Sequence, residues 1–168
     1  MDLELLNKAM KAEAKSLGLC DEWFGEWSEN TSIDGLLQKY IRGIDFVIDK
    51  GFPDNETLKK YAGDRLHYFG IYVDEEINDE ADNAPTLVIN GKCEGVVTYN
   101  GFSAGNIYLR GDSDLTIMVY NSAKVFVEVY DNARLQIIND GISKCFVYKH
   151  GGRIEPIGKV MVRDKRKK

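Results

Sequence analysis

The chain has 168 residues, is 43% hydrophobic and carries 22 basic against 27 acidic side chains, a net charge of −5. That apolar share suits a packed core rather than a disordered segment, and no apolar run approaches the roughly 20 residues needed to cross a bilayer. Net acidity opposes nucleic-acid binding, which needs a concentrated basic face. The start, Met1 to Leu6, carries Asp2 and Glu4 and no basic stretch, so a cytoplasmic protein without membrane association is expected.

Asp2 to Leu17 reads as a helix, with Leu3, Leu6, Met10 and Leu17 on one stripe and Gly18 to stop it. An aromatic-acidic knot follows, Asp21 to Trp27, containing Trp23, Phe24 and Trp27. A second helix is expected to start at Thr31 as its cap, with Asp34 three residues on, and to run through Ile33, Leu37, Tyr40, Ile41, Ile44 and Ile48 to Gly51. After Phe52-Pro53, Asp54 can cap a short third helix through Leu58 and Tyr61. From Leu66 the texture changes. His67 to Val73 is aromatic and β-branched and suits a strand. Asp74 to Asn83 reads as an acidic, solvated surface loop. Its six acids lack the alternation and mid-loop glycine of a calcium-binding hand, so no metal is expected there.

From Pro85 onward a ten-residue echo takes over. Leu87, Val97, Ile107, Ile117, Val127, Ile137, Val147 and Ile157 form one apolar column. Leu115, Val125, Leu135 and Cys145 form a second; Ser113, Ala123, Ala133 and Ser143 form a column of small residues; Asn121, Asp131, Gly141 and Gly151 punctuate the turns. Apolar alternation within each unit puts one side of a strand of about six residues in a core, with a turn completing the period. A wound β-solenoid has two strands per coil and a true repeat of about twenty residues. An antiparallel β-meander packed on helices has the same ten-residue rhythm. The small column and like-on-like neighbours such as Tyr120 and Tyr130 favour the solenoid. The fold class expected is therefore α+β: a helical N-terminal region (1–65), a strand and acidic loop (66–84), a short right-handed parallel β-solenoid (85–162) and a basic tail (163–168).

Winding sends alternate units to opposite faces. One face would carry Val96, Thr98, Thr116, Met118, Gln136 and Ile138; the other Asn106, Tyr108, Arg110, Phe126, Glu128, Tyr130, Phe146, Tyr148 and His150. With rungs about 4.8 Å apart, Arg110, Tyr130 and His150 would form one ladder and Tyr108, Glu128 and Tyr148 the next. An aromatic face of that size needs an occupant. The N-terminal helices could supply it, with Trp23, Phe24 and Trp27 as interdomain anchors; so could a protein partner, a second copy of the chain, or a carbohydrate.

Catalytic signals are sparse. Neither His67 nor His150 sits in a metal or triad spacing, no phosphate-cradling loop is present, and no cofactor or catalytic residue is assigned. Arg110, Tyr130, His150 and Glu128 are the group that a polysaccharide-cleaving site on such a face would use, with Tyr130 or His150 as base and Arg110 stabilising charge. Cys20, Cys93 and Cys145 show no ligand spacing, and the last two fall in inward columns. Arg110-Gly111-Asp112 spells an adhesion tripeptide at a corner where turn geometry wants glycine and aspartate.

The run from Asn121 to Leu135, Asn-Ser-Ala-Lys-Val-Phe-Val-Glu-Val-Tyr-Asp-Asn-Ala-Arg-Leu, resembles the Asx-Ser/Asn-Ala-x-Val repeats of small bacterial and phage β-solenoid proteins. The upstream segments, Gly18-Leu-Cys-Asp-Glu-Trp-Phe24 and Tyr40-Ile-Arg-Gly-Ile-Asp-Phe46, look like the N-terminal region of uncharacterised proteins from bacteriophages and mobile elements of gut bacteria. The resemblance implies a small accessory protein in a bacterial host cell that binds a host factor, and it carries no activity with it.

Overall fold

The computed structural model describes residues 3–28 and 31–166. Asp2, the expected helix start, and Lys167 and Lys168 of the basic tail lie outside the described residues. The chain divides into two compact units, Met1–Phe69 and Gly70–Lys168.

The first unit holds six α-helices among the described residues: α1 (Leu3–Ser16), α2 (Asp21–Glu26), α3 (Ile33–Arg42), α4 (Ile44–Lys50), α5 (Asn55–Ala62) and α6 (Arg65–Tyr68). The aromatic-acidic knot is thus itself a short helix. The expected second helix is two, parted at Gly43, whose φ of −98° and ψ of 28° lie outside the helical range although its N–H still donates to the Lys39 carbonyl at 2.9 Å. Its cap is Ser32, not Thr31: the Ser32 hydroxyl accepts the Gly35 N–H at 3.1 Å. Gly51 ends α4 in the left-handed conformation, and Asp54 caps α5 by accepting from the Thr57 N–H at 2.7 Å. No described helix is long and apolar enough to cross a membrane.

The second unit is a parallel β-solenoid of about four turns. Its strands are β1 (Ile71–Val73), β2 (Glu76–Ile77), β3 (Thr86–Asn90), β4 (Glu94–Tyr99), β5 (Ala104–Leu109), β6 (Asp114–Val119), β7 (Lys124–Val129), β8 (Arg134–Asn139), β9 (Lys144–Lys149), β10 (Arg153–Ile157) and β11 (Val160–Asp164). Odd strands build one sheet in the order β1-β3-β5-β7-β9-β11, and even strands build the other, β2-β4-β6-β8-β10. Within a sheet all neighbours are parallel, and Ile107 lies beside Val127 and Val127 beside Val147, a step of twenty. The meander is excluded, because it would make neighbours antiparallel and ten residues apart.

Corners make the winding possible. Gly101, Gly111, Asn121, Asp131 and Gly141 all have positive φ, the region that glycine and Asx tolerate. Ser113, Ala123, Ala133 and Ser143 stack inside the corners, fully or nearly fully buried. Asn132 Nδ2 donates to Asp112 Oδ1 at 3.0 Å, and the Asn121 side chain donates to Asn100 Oδ1, tying corners of successive coils together. Between the sheets, the apolar column Leu87 to Val147 is buried to 1% exposure or less.

Three expectations for the chain from Leu66 onward need correction. His67 and Tyr68 are not strand but belong to α6, and only Ile71–Val73 is extended. The acidic segment Asp74–Asn83 is not a bare solvated loop. It is part of the first coil, with β2 and a 3₁₀ turn (Asp79–Ala81), and it buries Ile77 and Ala81 in the core. Its polar side chains accept backbone N–H groups of the next coil: Asp74 from Lys92 at 2.9 Å, Asp82 from Thr98 at 2.6 Å and Asn83 from Asn100 at 2.8 Å. Ile157 leaves the inward column. The corner before β10 is one residue shorter, so Arg153 pairs with Arg134 and Ile157 falls beside outward Ile138, 49% exposed.

Candidate interaction surface

The odd-strand sheet presents the expected face. Pairing places Asn106 beside Phe126 and Phe126 beside Phe146 in one column, and Tyr108, Glu128 and Tyr148 in the next. Arg110, Tyr130 and His150 follow each of these strands at equivalent positions, their N–H groups donating to Ile89, Leu109 and Val129 carbonyls of the preceding coil. All eight candidate binding residues, Tyr108, Arg110, Phe126, Glu128, Tyr130, Phe146, Tyr148 and His150, therefore share one sheet.

The rings use their neighbours as partners. Phe126 and Phe146 stack at 5.0 Å between centroids, 13° from parallel; Tyr130 and His150 stack at 4.4 Å and 9°. Lys124 Nζ sits 4.8 Å from the centre of the Phe126 ring, and Lys165 Nζ lies 5.9 Å from that of Tyr148. Phe126, Phe146, Tyr130 and His150 thus each turn one ring face to a neighbouring ring. Glu128 ties the two ladders together: the Tyr130 hydroxyl donates to Glu128 Oε2, and His150 Nε2 lies 3.0 Å from the same oxygen. The His150 and Glu128 side chains are 32% and 34% exposed, so the cluster is a partly buried polar centre within an aromatic field. No group of acids, histidines and cysteines that could hold a metal ion occurs among the described residues.

Trp23, Phe24 and Trp27 are engaged inside the helical unit. They pack against a small core of Ala14, Leu19 and Phe52. Trp27 Nε1 donates to Asn7 Oδ1 at 2.7 Å, and Asn7 Nδ2 donates to the Ser28 carbonyl at 3.0 Å, which accounts for a buried asparagine on α1. Cations cover the rings, Lys11 over Phe24 and Arg42 over Trp23. Trp23 and Trp27 also line a cavity of about 370 Å³ with Met10, Tyr40, Phe46 and Phe52. Sequence reasoning missed this cavity, because helix–helix spacing is not written in any one helix's pattern.

The corner Arg110-Gly111-Asp112 is structural. Gly111 has φ of 71° and its N–H donates to Asp131 Oδ2 at 2.9 Å, while Asp112 accepts from Asn132. Cys93 and Cys145 are buried as their columns require, and Cys20 is exposed. No protein family, curated protein or solved structure matches the chain.

Proposed function

We propose that the chain is a non-catalytic protein-binding module whose odd-strand sheet, centred on Glu128, Tyr130 and His150, is the contact surface. The observation that carries this reading is the covering of the ring faces. A sugar or a base is held by a ring face laid against it, and here Phe126, Phe146, Tyr130, His150 and Tyr148 each have a face taken by a neighbouring ring or by Lys124 or Lys165. Ring edges and hydroxyls on a stiff parallel sheet suit a protein surface, where aromatic and Arg side chains concentrate binding energy. The resemblance of the N-terminal segment supports a phage or mobile-element setting and a host protein as the partner.

Co-purification from a bacterial host lysate tests the proposal. The chain retains a defined partner, and a Tyr108→Ala/Tyr130→Ala/Tyr148→Ala variant with unchanged circular dichroism loses it. Full retention by that variant removes the sheet from the interaction.

A further inference from the structure

The two sheets carry opposite charge, which sequence order hides because consecutive strands alternate between them. On the odd-strand sheet, Lys124 and Lys144 pair side by side in register with Ala104. Arg163 lies beside Tyr148, Lys165 lies over the Tyr148 ring, and Arg110 heads the Tyr130 and His150 column. Against these five cations the outward positions offer one acid, Glu128, whose Oε2 is already engaged by Tyr130 and His150. The outward positions of the even-strand sheet are reversed: Glu76, Glu94, Asp114 and Glu155 stand against Arg134 and Arg153. The outward positions of the solenoid are thus net positive on one sheet and net negative on the other. Lys124, Lys144, Arg163 and Lys165 are all exposed.

Parallel pairing sets the like-charged residues Lys124 and Lys144 side by side on strands about 4.8 Å apart, and that arrangement destabilises the isolated sheet. An acidic ligand relieves it. From this we infer that the partner's contact segment is acidic, a run of Asp and Glu interspersed with apolar or aromatic residues, seated across the Lys124–Lys144 row with its apolar residues against the ring edges of Phe126 and Phe146. The inference rests on the reading of this sheet as the contact surface and adds the chemistry of what binds it. Nucleic acid is disfavoured, because four of the rings that would stack bases already stack in pairs and Glu128 stands at the centre of the field.

The probe is a fluorescein-labelled random copolymer of glutamate and tyrosine, followed by fluorescence anisotropy with the full chain. Binding is expected, weakening as salt rises, and weaker by about tenfold in Lys124→Glu/Lys144→Glu, because charge complementarity fixes such contacts. Arg134→Glu/Arg153→Glu, an equal change of charge on the other sheet, is expected to stay within about twofold of the unmodified chain. If the charge reversals perturb folding, Lys124→Gln/Lys144→Gln makes the same test with less repulsion. Equal weakening by both reversals, or no binding of the copolymer, overturns the inference. So does tighter binding of an oligothymidylate of matched charge, or a doubled mass by light scattering that vanishes in Lys124→Glu/Lys144→Glu, which would make the occupant a nucleic acid or a second copy. The two claims separate in the lysate experiment. Loss of the partner in the triple-tyrosine variant with retention in Lys124→Glu/Lys144→Glu keeps the surface and rejects the acidic partner; retention in both rejects the surface.

Discussion

Adding one methyl group at Gly105 tests how tightly the first coils are plugged. Gly105 occupies the place taken by Val125 and Cys145 in later coils, and the space it leaves is filled by Tyr99, which is fully buried. A Cβ built at Gly105 would lie 2.4 Å from Tyr99 Cε1 and 2.6 Å from both Cζ and Oη, whereas ordinary contact begins at 3.4 Å. The ring must therefore move by about 1 Å in a core packed near crystal density. It is pinned at its far end, where the hydroxyl donates to the Ala84 carbonyl at 2.8 Å. Overpacking costs about 1–3 kcal/mol, and losing the hydroxyl bond adds about 1 kcal/mol. Gly105→Ala is thus expected to destabilise the solenoid by about 2–4 kcal/mol, which for a unit of this size lowers its melting temperature by at least about 8 °C. Six of the nine tyrosines lie between residues 70 and 168, so the near-ultraviolet tyrosine band follows the solenoid; both tryptophans lie in the helical unit, so their fluorescence serves as an internal control. Tyr99→Leu alone leaves a cavity and costs a similar amount. In the double variant the new methyl enters the freed space, so the combined cost falls short of the sum by about 1 kcal/mol or more. Strict additivity, or a Gly105→Ala variant that melts with the unmodified chain, refutes the plug.

Two further outcomes are expected. Asp140 accepts backbone N–H groups, that of Asn121 foremost and then those of Ile142 and Ser143, and these hold its carboxyl below the ordinary 3.8. Its contribution to stability is present above that unfolded-state value and lost as pH falls through the lower folded one. Melting temperature followed from about pH 5 to about pH 2 should therefore drop less in Asp140→Asn than in the unmodified chain, and parallel curves contradict the assignment. Burial pushes the Cys145 thiol up to about 12 and raises that of Cys93, while Cys20 is exposed. An aromatic disulfide reagent should count one thiol in the folded chain and all three in denaturant; a second fast thiol in the folded state contradicts a sealed core.

The solenoid was legible because its signal is redundant. Inward columns, small corner residues and left-handed Asx and Gly positions all report the same twenty-residue coil, and any one of them could fail without loss. The face followed from parity alone, since alternate units go to opposite sheets. What escaped lacks that redundancy. The first coil substitutes Asp74, Asp82 and Asn83 as backbone acceptors for the apolar rhythm of later coils, and such groups read in sequence as solvation. His67 and Tyr68 have strand propensity but sit in a single helical turn, an override that local preference does not register. Ile157 keeps its place in the ten-residue count yet points outward, because one residue missing from a corner reverses every later side chain. The neighbourhood of Phe126 and Phe146 could be placed from register, but their near-parallel stacking is a matter of angles.

The coil length has an evolutionary corollary. Duplicating twenty residues inserts one complete storey and extends both walls without disturbing any existing column, whereas duplicating ten transfers every downstream strand to the opposite wall. Lineages that change the length of this module should therefore gain or shed material in whole storeys, each changing the solenoid's length by about 4.8 Å. A half-storey change would bring the acidic wall into line with the basic one and mix the two charge patterns in a single step.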